Sequence, residues 1–128
     1  AIVNYPKIHY DNGVFKNSAS CTNGWFKPLV RIFKNARSRL VDDGVLADDT
    51  APSYFVECLL YNAPTGTFGV NYQQSFAGIC NWLRSANLQS FSCQNGIQPL
   101  FGTTPEQWTI DNAHQTIRAW IGLWNNWR

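Results

Sequence analysis

The sequence predicts an all-α fold: a single domain of four to five helices behind an irregular N-terminal lead-in. Apolar residues recur at intervals of three and four in four separate stretches. Residues that start and stop helices frame those stretches. Nowhere does a run alternate apolar and polar residues as a half-buried strand would. At 128 residues the chain fits one domain, 1–128, since domains commonly run to roughly 100–150 residues.

Residues 1–24 show little periodicity and carry Pro6, Gly13 and several Asn and Ser. They read as an irregular connector cut from something longer, leaving 25–128 as the helical part. The first predicted helix follows Gly24, with Leu29, Ile32, Phe33, Ala36 and Leu40 on one face. Pro28 suits its first turn and Gly44 its end. A short acidic loop leads to the second helix, where Thr50 or Ser53 can cap, Pro52 suits the first turn, and Tyr54, Phe55, Cys58 and Leu59 share a face. The third gathers Tyr72, Phe76, Ile79, Cys80 and Leu83, with Gly78 tolerated inside it. From Asn87 to Gly102 the periodicity fades. The fourth opens on a capping-box pattern, Thr104 as N-cap, Pro105 and Gln107, and its face of Trp108, Ala113, Ile117, Trp120, Ile121 and Trp124 runs to the chain end.

Hydrophobic residues make up 45% and aromatics 15% of the chain, far more apolar mass than a disordered chain carries, so the interior should pack. No apolar run approaches the roughly 20 residues of a membrane span, and AIVNYPKIHY lacks the basic-then-apolar pattern of a secretory leader. Membrane insertion and secretion are therefore unsupported, and a cytoplasmic location is expected. Cys21, Cys58, Cys80 and Cys93 form no CxxC pair and have no His at ligand spacing, which argues against zinc. Cys58 and Cys80 fall inside apolar helical runs, where reduced core thiols are the commoner outcome.

The net charge of +2 is too small for general attraction to nucleic acid or membrane, but its distribution is uneven. Lys27, Arg31, Lys34, Arg37 and Arg39 crowd one window without an acid. Asp42, Asp43, Asp48 and Asp49 follow. Lys27, Arg31 and Lys34 project from one side of the first helix, where phosphates would suit them or where they simply form a solvated face. The paired aspartates read as solvated loop charges rather than metal ligands, because no strand holds their geometry. Glu57 on an apolar helix suits an ion pair or a cap better than general-base work. His9 and His114 show no recognisable catalytic spacing, and Trp120, Trp124 and Trp127 read as core or interface before base-stacking. Without GxxxxGK[ST] or GxGxxG, neither a P-loop nor a dinucleotide fold is available.

The pairing of KPLVRIFKNARSRL with APSYFVECLLYNAP, followed by FGTTPEQWTIDNA, resembles the C-terminal helical lobe of nucleotidyltransferases of the cyclic-oligonucleotide and oligoadenylate synthetase superfamily. Bacterial members of anti-phage signalling are the nearest comparison, and the likeness runs from Tyr5 onward. It implies a lobe that closes over a nucleoside triphosphate, ATP among them. In this sequence the matching positions are Lys34 on phosphate, Ser53 at a helix start where anions are favoured, and Tyr54 against a base, with Arg31 assisting. Stacking on such a tyrosine is worth about 1–3 kcal/mol and is largely indifferent to base identity.

The superfamily's catalytic lobe carries a Gly-Ser turn, an Asp-x-Asp pair and a third carboxylate, and none of these is in this sequence. The resemblance thus implies no catalytic residue and no metal ligand here. Mg²⁺ is expected with a separate catalytic lobe, in the same or another chain, and the lobe alone is expected to be inactive. Two alternatives stay open: a module binding RNA or DNA phosphates through the basic face, and an interaction domain docking through the Trp-rich last helix.

Overall fold

The computed structural model describes residues 6–18, 21–104 and 107–126. Among them are five helices and no strand: α1 (Pro6–Asn17), α2 (Phe26–Asp42), α3 (Ser53–Tyr61), α4 (Tyr72–Ser85) and α5 (Ile110–Asn125). None is long and apolar enough to cross a membrane. Single 3₁₀ turns follow α3 and α4, at Thr65–Thr67 and Leu88–Ser90.

The hub is α2, which packs against each of the other four helices. It buries Phe26, Leu29, Val30, Phe33 and Leu40. Phe33 stacks on Phe76 of α4 at 4.4 Å and meets Trp120 of α5 edge-on at 4.8 Å, between ring centroids. Removing a ring so enclosed typically costs about 3–5 kcal/mol. Gly44 ends α2 as predicted: its φ is +76°, and Val45 donates back to the Leu40 carbonyl at 2.8 Å, a left-handed cap that glycine adopts without strain. The face predicted for α4 is buried from Phe76 to Leu83, while Tyr72 stands at its rim, half exposed, and Asn71 caps the helix by accepting from Gln74 N–H at 2.7 Å. The four cysteines are thiols, and Cys58 and Cys80 are buried within α3 and α4.

Three sequence expectations are corrected. First, the lead-in is not irregular over residues 6–17 but helical, beginning at Pro6. Gly13 is no interruption; it lets Gln94 approach so closely that a Cβ would lie 2.5 Å from the Gln94 amide nitrogen. That nitrogen donates to the His9 carbonyl at 2.8 Å, and Asn12 donates to the Gln94 carbonyl at 2.8 Å. The helix is also inside out. Polar His9, Asn12 and Lys16, at i, i+3 and i+7, face the protein, while Ile8, Tyr10, Val14 and Phe15 stay exposed, so no buried apolar stripe betrays it.

Second, neither Thr50 nor Ser53 caps α3; Pro52 occupies the cap position with no side-chain bond. Third, the last helix begins at Ile110, capped by the Thr109 hydroxyl accepting from Asn112 N–H at 3.2 Å. The Thr104 hydroxyl and the Gln107 side chain do bond, at 2.9 Å, but they close a turn upstream; Pro105 lies outside the described residues. Trp108 therefore stands off the helix in extended backbone paired to Leu100 at 2.9 Å. Its indole lies parallel to Phe55 at 5.5 Å and Phe101 at 5.6 Å and donates to the buried Thr50 carbonyl at 2.8 Å. Burying that ring with its N–H satisfied outweighs a capping box worth ~1 kcal/mol.

Candidate functional site

Glu57, in the second turn of α3, joins one predicted site residue, Lys34, to a residue of α1, His9. One carboxylate oxygen meets His9 Nε2 of α1 at 3.2 Å and the other meets Lys34 Nζ of α2 at 3.4 Å. The His9 ring lies over Tyr54, with centroids 5.2 Å apart and planes 21° from parallel. Ser53 precedes Glu57 by four residues, on the same face of α3, at the exposed helix start. Arg31, one turn before Lys34, is exposed and pairs with no carboxylate among the described residues. Two helices, α2 and α3, thus carry Lys34, Ser53 and Tyr54, with His9 of α1 between Glu57 and Tyr54 and Arg31 one turn away.

The electrostatics follow from these contacts. The hydrogen bond from His9 and the nearby Lys34 ammonium hold the Glu57 carboxyl down at about 2, against the opposing effect of burial. Burial pushes the Tyr54 phenol well up, and the Cys58 and Cys93 thiols, through proximity and hydrogen bonds, push the same way. Tyr54 is thus a neutral ring, and 41% of the residue is exposed. The Cys93 thiol is lowered, chiefly by its hydrogen bond with Cys58.

The rest of the basic window is engaged elsewhere. Arg37 donates to the backbone carbonyls of Ala51, at 2.9 Å, and Asp48, and its guanidinium lies 3.6 Å from the Asp48 carboxylate. Arg39 pairs with Asp43 at 3.6 Å, and Lys27 sits over the Tyr10 ring at 5.0 Å. The paired aspartates are exposed, Asp42 in the last turn of α2 and Asp43, Asp48 and Asp49 beyond it, and two of them answer these arginines. Among the described residues no three His, Cys, Asp or Glu side chains gather to hold a metal. Both Glu57 oxygens already face nitrogens. The donor set here does not fit Mg²⁺.

A groove of about 810 Å³ opens on the opposite side of α2 between Ile32, Ala36, Phe76, Leu123 and Trp124. Trp124 stacks there on Phe76 at 5.8 Å, whereas Trp120 is buried in the core; Trp127 lies outside the described residues. No residue of the Glu57 cluster lines this groove.

Sequence reasoning named Lys34, Ser53, Tyr54 and Arg31 but missed His9. The available signal was the i, i+3, i+7 spacing of His9, Asn12 and Lys16, a polar inner face on a helix not recognised as one.

The profile of the family described as cGAS/DncV-like nucleotidyltransferase C-terminal helical domain matches residues 11–125. The chain belongs to that family. Curated relatives of this nucleotidyltransferase domain include the cyclic UMP-AMP synthase of Rhodothermus marinus, 49% identical over 98% of the chain and 43% of the relative. Another is the cyclic nucleotide synthase CdnE01 of Staphylococcus haemolyticus, 42% identical over 99% of the chain and 43% of the relative. The chain therefore spans less than half the length of these relatives. Among solved structures, the domain matches the Rhodothermus marinus CdnE c-UMP-AMP synthase with Apcpp and Upnpp at a TM-score of 0.93, 49% identity, over 98% of the chain and 42% of that structure. It matches the Elizabethkingia meningoseptica CdnE cyclic dinucleotide synthase with GTP and Apcpp at 0.84 and 31%, over 95% and 45%.

Proposed function

We propose that this helical domain holds a nucleoside triphosphate, ATP being the first candidate, for phosphodiester synthesis by a separate catalytic lobe. Lys34 and Ser53 take phosphate oxygens, Tyr54 takes the base, and Arg31 adds charge at the rim. The observation that carries the reading is that Lys34 of α2 pairs with Glu57 of α3, one turn beyond Ser53, while His9, on the other Glu57 oxygen, stacks on Tyr54.

Each side chain suits its part. Lys34 is 32% exposed and held by a single carboxylate at 3.4 Å, so two of its three donors stay available to an arriving anion. Ser53 opens α3, whose first N–H groups point outward and whose dipole favours negative charge. Tyr54 offers an exposed ring, and the Rhodothermus relative, whose structure carries Apcpp and Upnpp, keeps the same fold. By the same support, the whole protein would make a cyclic nucleotide in the cytoplasm as part of anti-phage signalling, with Mg²⁺ held by the catalytic lobe.

Engagement of Arg37, Arg39 and Lys27 within the chain leaves little continuous basic face for RNA or DNA. That favours a small anionic ligand.

Calorimetric titration of the chain with ATP and Mg²⁺ at two salt concentrations, beside Lys34→Ala and Tyr54→Ala, tests the reading. With half the site absent, millimolar affinity, about −4 kcal/mol, is expected. Binding abolished by both variants supports the assignment. Binding indifferent to both, or no binding to the unaltered chain, removes it.

A further inference from the structure

We infer that Glu57 is the positioning residue of this nucleotide face and that His9 is its intermediary: one carboxylate fixes the phosphate-side lysine and, through the imidazole, the base-side ring. The inference rests on the nucleotide-binding reading and deepens it, because it explains how two groups on different helices keep one spacing.

The geometry is a chain of four side chains. Lys34 Nζ lies 3.4 Å from one Glu57 oxygen, the other lies 3.2 Å from His9 Nε2, and the His9 ring stacks on Tyr54 at 5.2 Å. Each link holds something otherwise loose. A lysine ammonium rides on four rotatable carbons, and a fixed carboxylate narrows the positions it visits. Among the described residues the imidazole has Glu57 as its one polar anchor, since its Nδ1 is buried without a hydrogen-bond partner there; Glu57 fixes how the ring is turned where it stacks on Tyr54. That ring backs one face of Tyr54, leaving the base the other. His9 is itself placed by backbone, because its carbonyl accepts from the buried Gln94 amide at 2.8 Å.

A carboxylate beside a phosphate site repels the ligand, and that opposes the inference. If Glu57 did no more than compete with phosphate for Lys34, its removal would tighten ATP binding. If it positions Lys34 and Tyr54, removal weakens binding, because the ammonium and the ring must then be ordered at the cost of affinity. The two readings differ in sign.

The experiment is NMR titration of the chain with ATP and Mg²⁺, following the His9 and Tyr54 ring protons, for unaltered protein, Glu57→Gln and His9→Phe. Glu57→Gln is expected to move the Tyr54 ring signals before any ligand is added and to raise the ATP Kd about tenfold. His9→Phe keeps a ring on Tyr54 but cannot bond Glu57, and is expected to raise Kd about threefold; it decides the matter should Glu57→Gln fail to fold. A Kd within twofold of the unaltered chain in the folded variants, or a tighter one, overturns the inference, and an accompanying loss of thermal stability would mark Glu57 as an ordinary ion pair. Failure of the unaltered chain to bind ATP removes the nucleotide reading itself, a separate outcome from binding that ignores Glu57.

Discussion

Lys16 and Lys34 both set an ammonium against α3, at different turns of it, and they are held in opposite ways. Lys16 is 9% exposed, donates to the Tyr61 and Ala63 carbonyls at 2.7 and 2.6 Å, and sits within 5.9 Å of the Phe26, Tyr61 and Phe68 ring centroids. Burial lowers its pKa to about 8, with Cys21 pulling weakly the other way. A cation at that end satisfies carbonyls a helix cannot satisfy itself and lies favourably on its dipole. Lys34 stands near the other end, 32% exposed, with one carboxylate at 3.4 Å and open solvent beyond. The first lysine has its neighbours completed by the fold, and the second has a neighbour that leaves donors over. A buried, fully engaged charge is architecture; a half-exposed charge on a single partner is available to a ligand.

The comparison can be broken most severely at Lys16. Lys16→Ala should take the donor from the buried Ala63 and part-buried Tyr61 carbonyls and empty the ring cage, lowering unfolding free energy by about 3 kcal/mol in chemical denaturation. A loss under ~1 kcal/mol would show that Lys16 is no more structural than Lys34.

Next in size is the acid response of Glu57. Its carboxyl is lowered from 4.5 to about 2, so its stabilisation is complete above the unfolded value and is lost as pH falls through the folded one. Over that window the unaltered chain should lose up to about 3 kcal/mol more than Glu57→Gln, read as the difference between their denaturation midpoints against pH. Parallel curves would mean that the His9 and Lys34 contacts do not form in solution.

The smallest stability effects belong to the open end of the comparison. Lys34→Ala should cost no more than ~1 kcal/mol, as half-exposed ion pairs do. Arg31→Ala should stay within about 0.5 kcal/mol. Their signature is instead in nucleotide titrations, where Lys34→Ala should remove ATP binding and Arg31→Ala weaken it about twofold. A Lys34 variant that melts far below the unaltered chain yet binds ATP normally would exchange the roles assigned to the two lysines.

The parts of this arrangement that were legible in sequence share a property: their signal is local. Leu29, Phe33 and Leu40 on α2 and Gly44 at its end are set by periodicity and by backbone rules that act over a few residues. What could not be read depends on partners far along the chain. Helix α1 hides because its inner face is polar, and Gly13 looks like a breaker until Gln94 is placed against it. Thr104 and Gln107 carry a capping pattern, but Trp108 is claimed by Phe55, Phe101 and the Thr50 carbonyl. Glu57 could be recognised as a partner in an ion pair, yet nothing in the sequence pointed to His9 as one of its two partners.

The Gln94 contacts also bear on the order in which the molecule assembles. They join positions 85 and 82 residues apart, to His9 and Asn12, whereas α2 and α3 meet across a short loop. Closing so wide a span is entropically slower than closing a short one. The bonds that Gln94 makes to α1 can form only once its own segment is in place, so the His9–Gln94 bond would report a later stage of folding than the packing of α2 on α3.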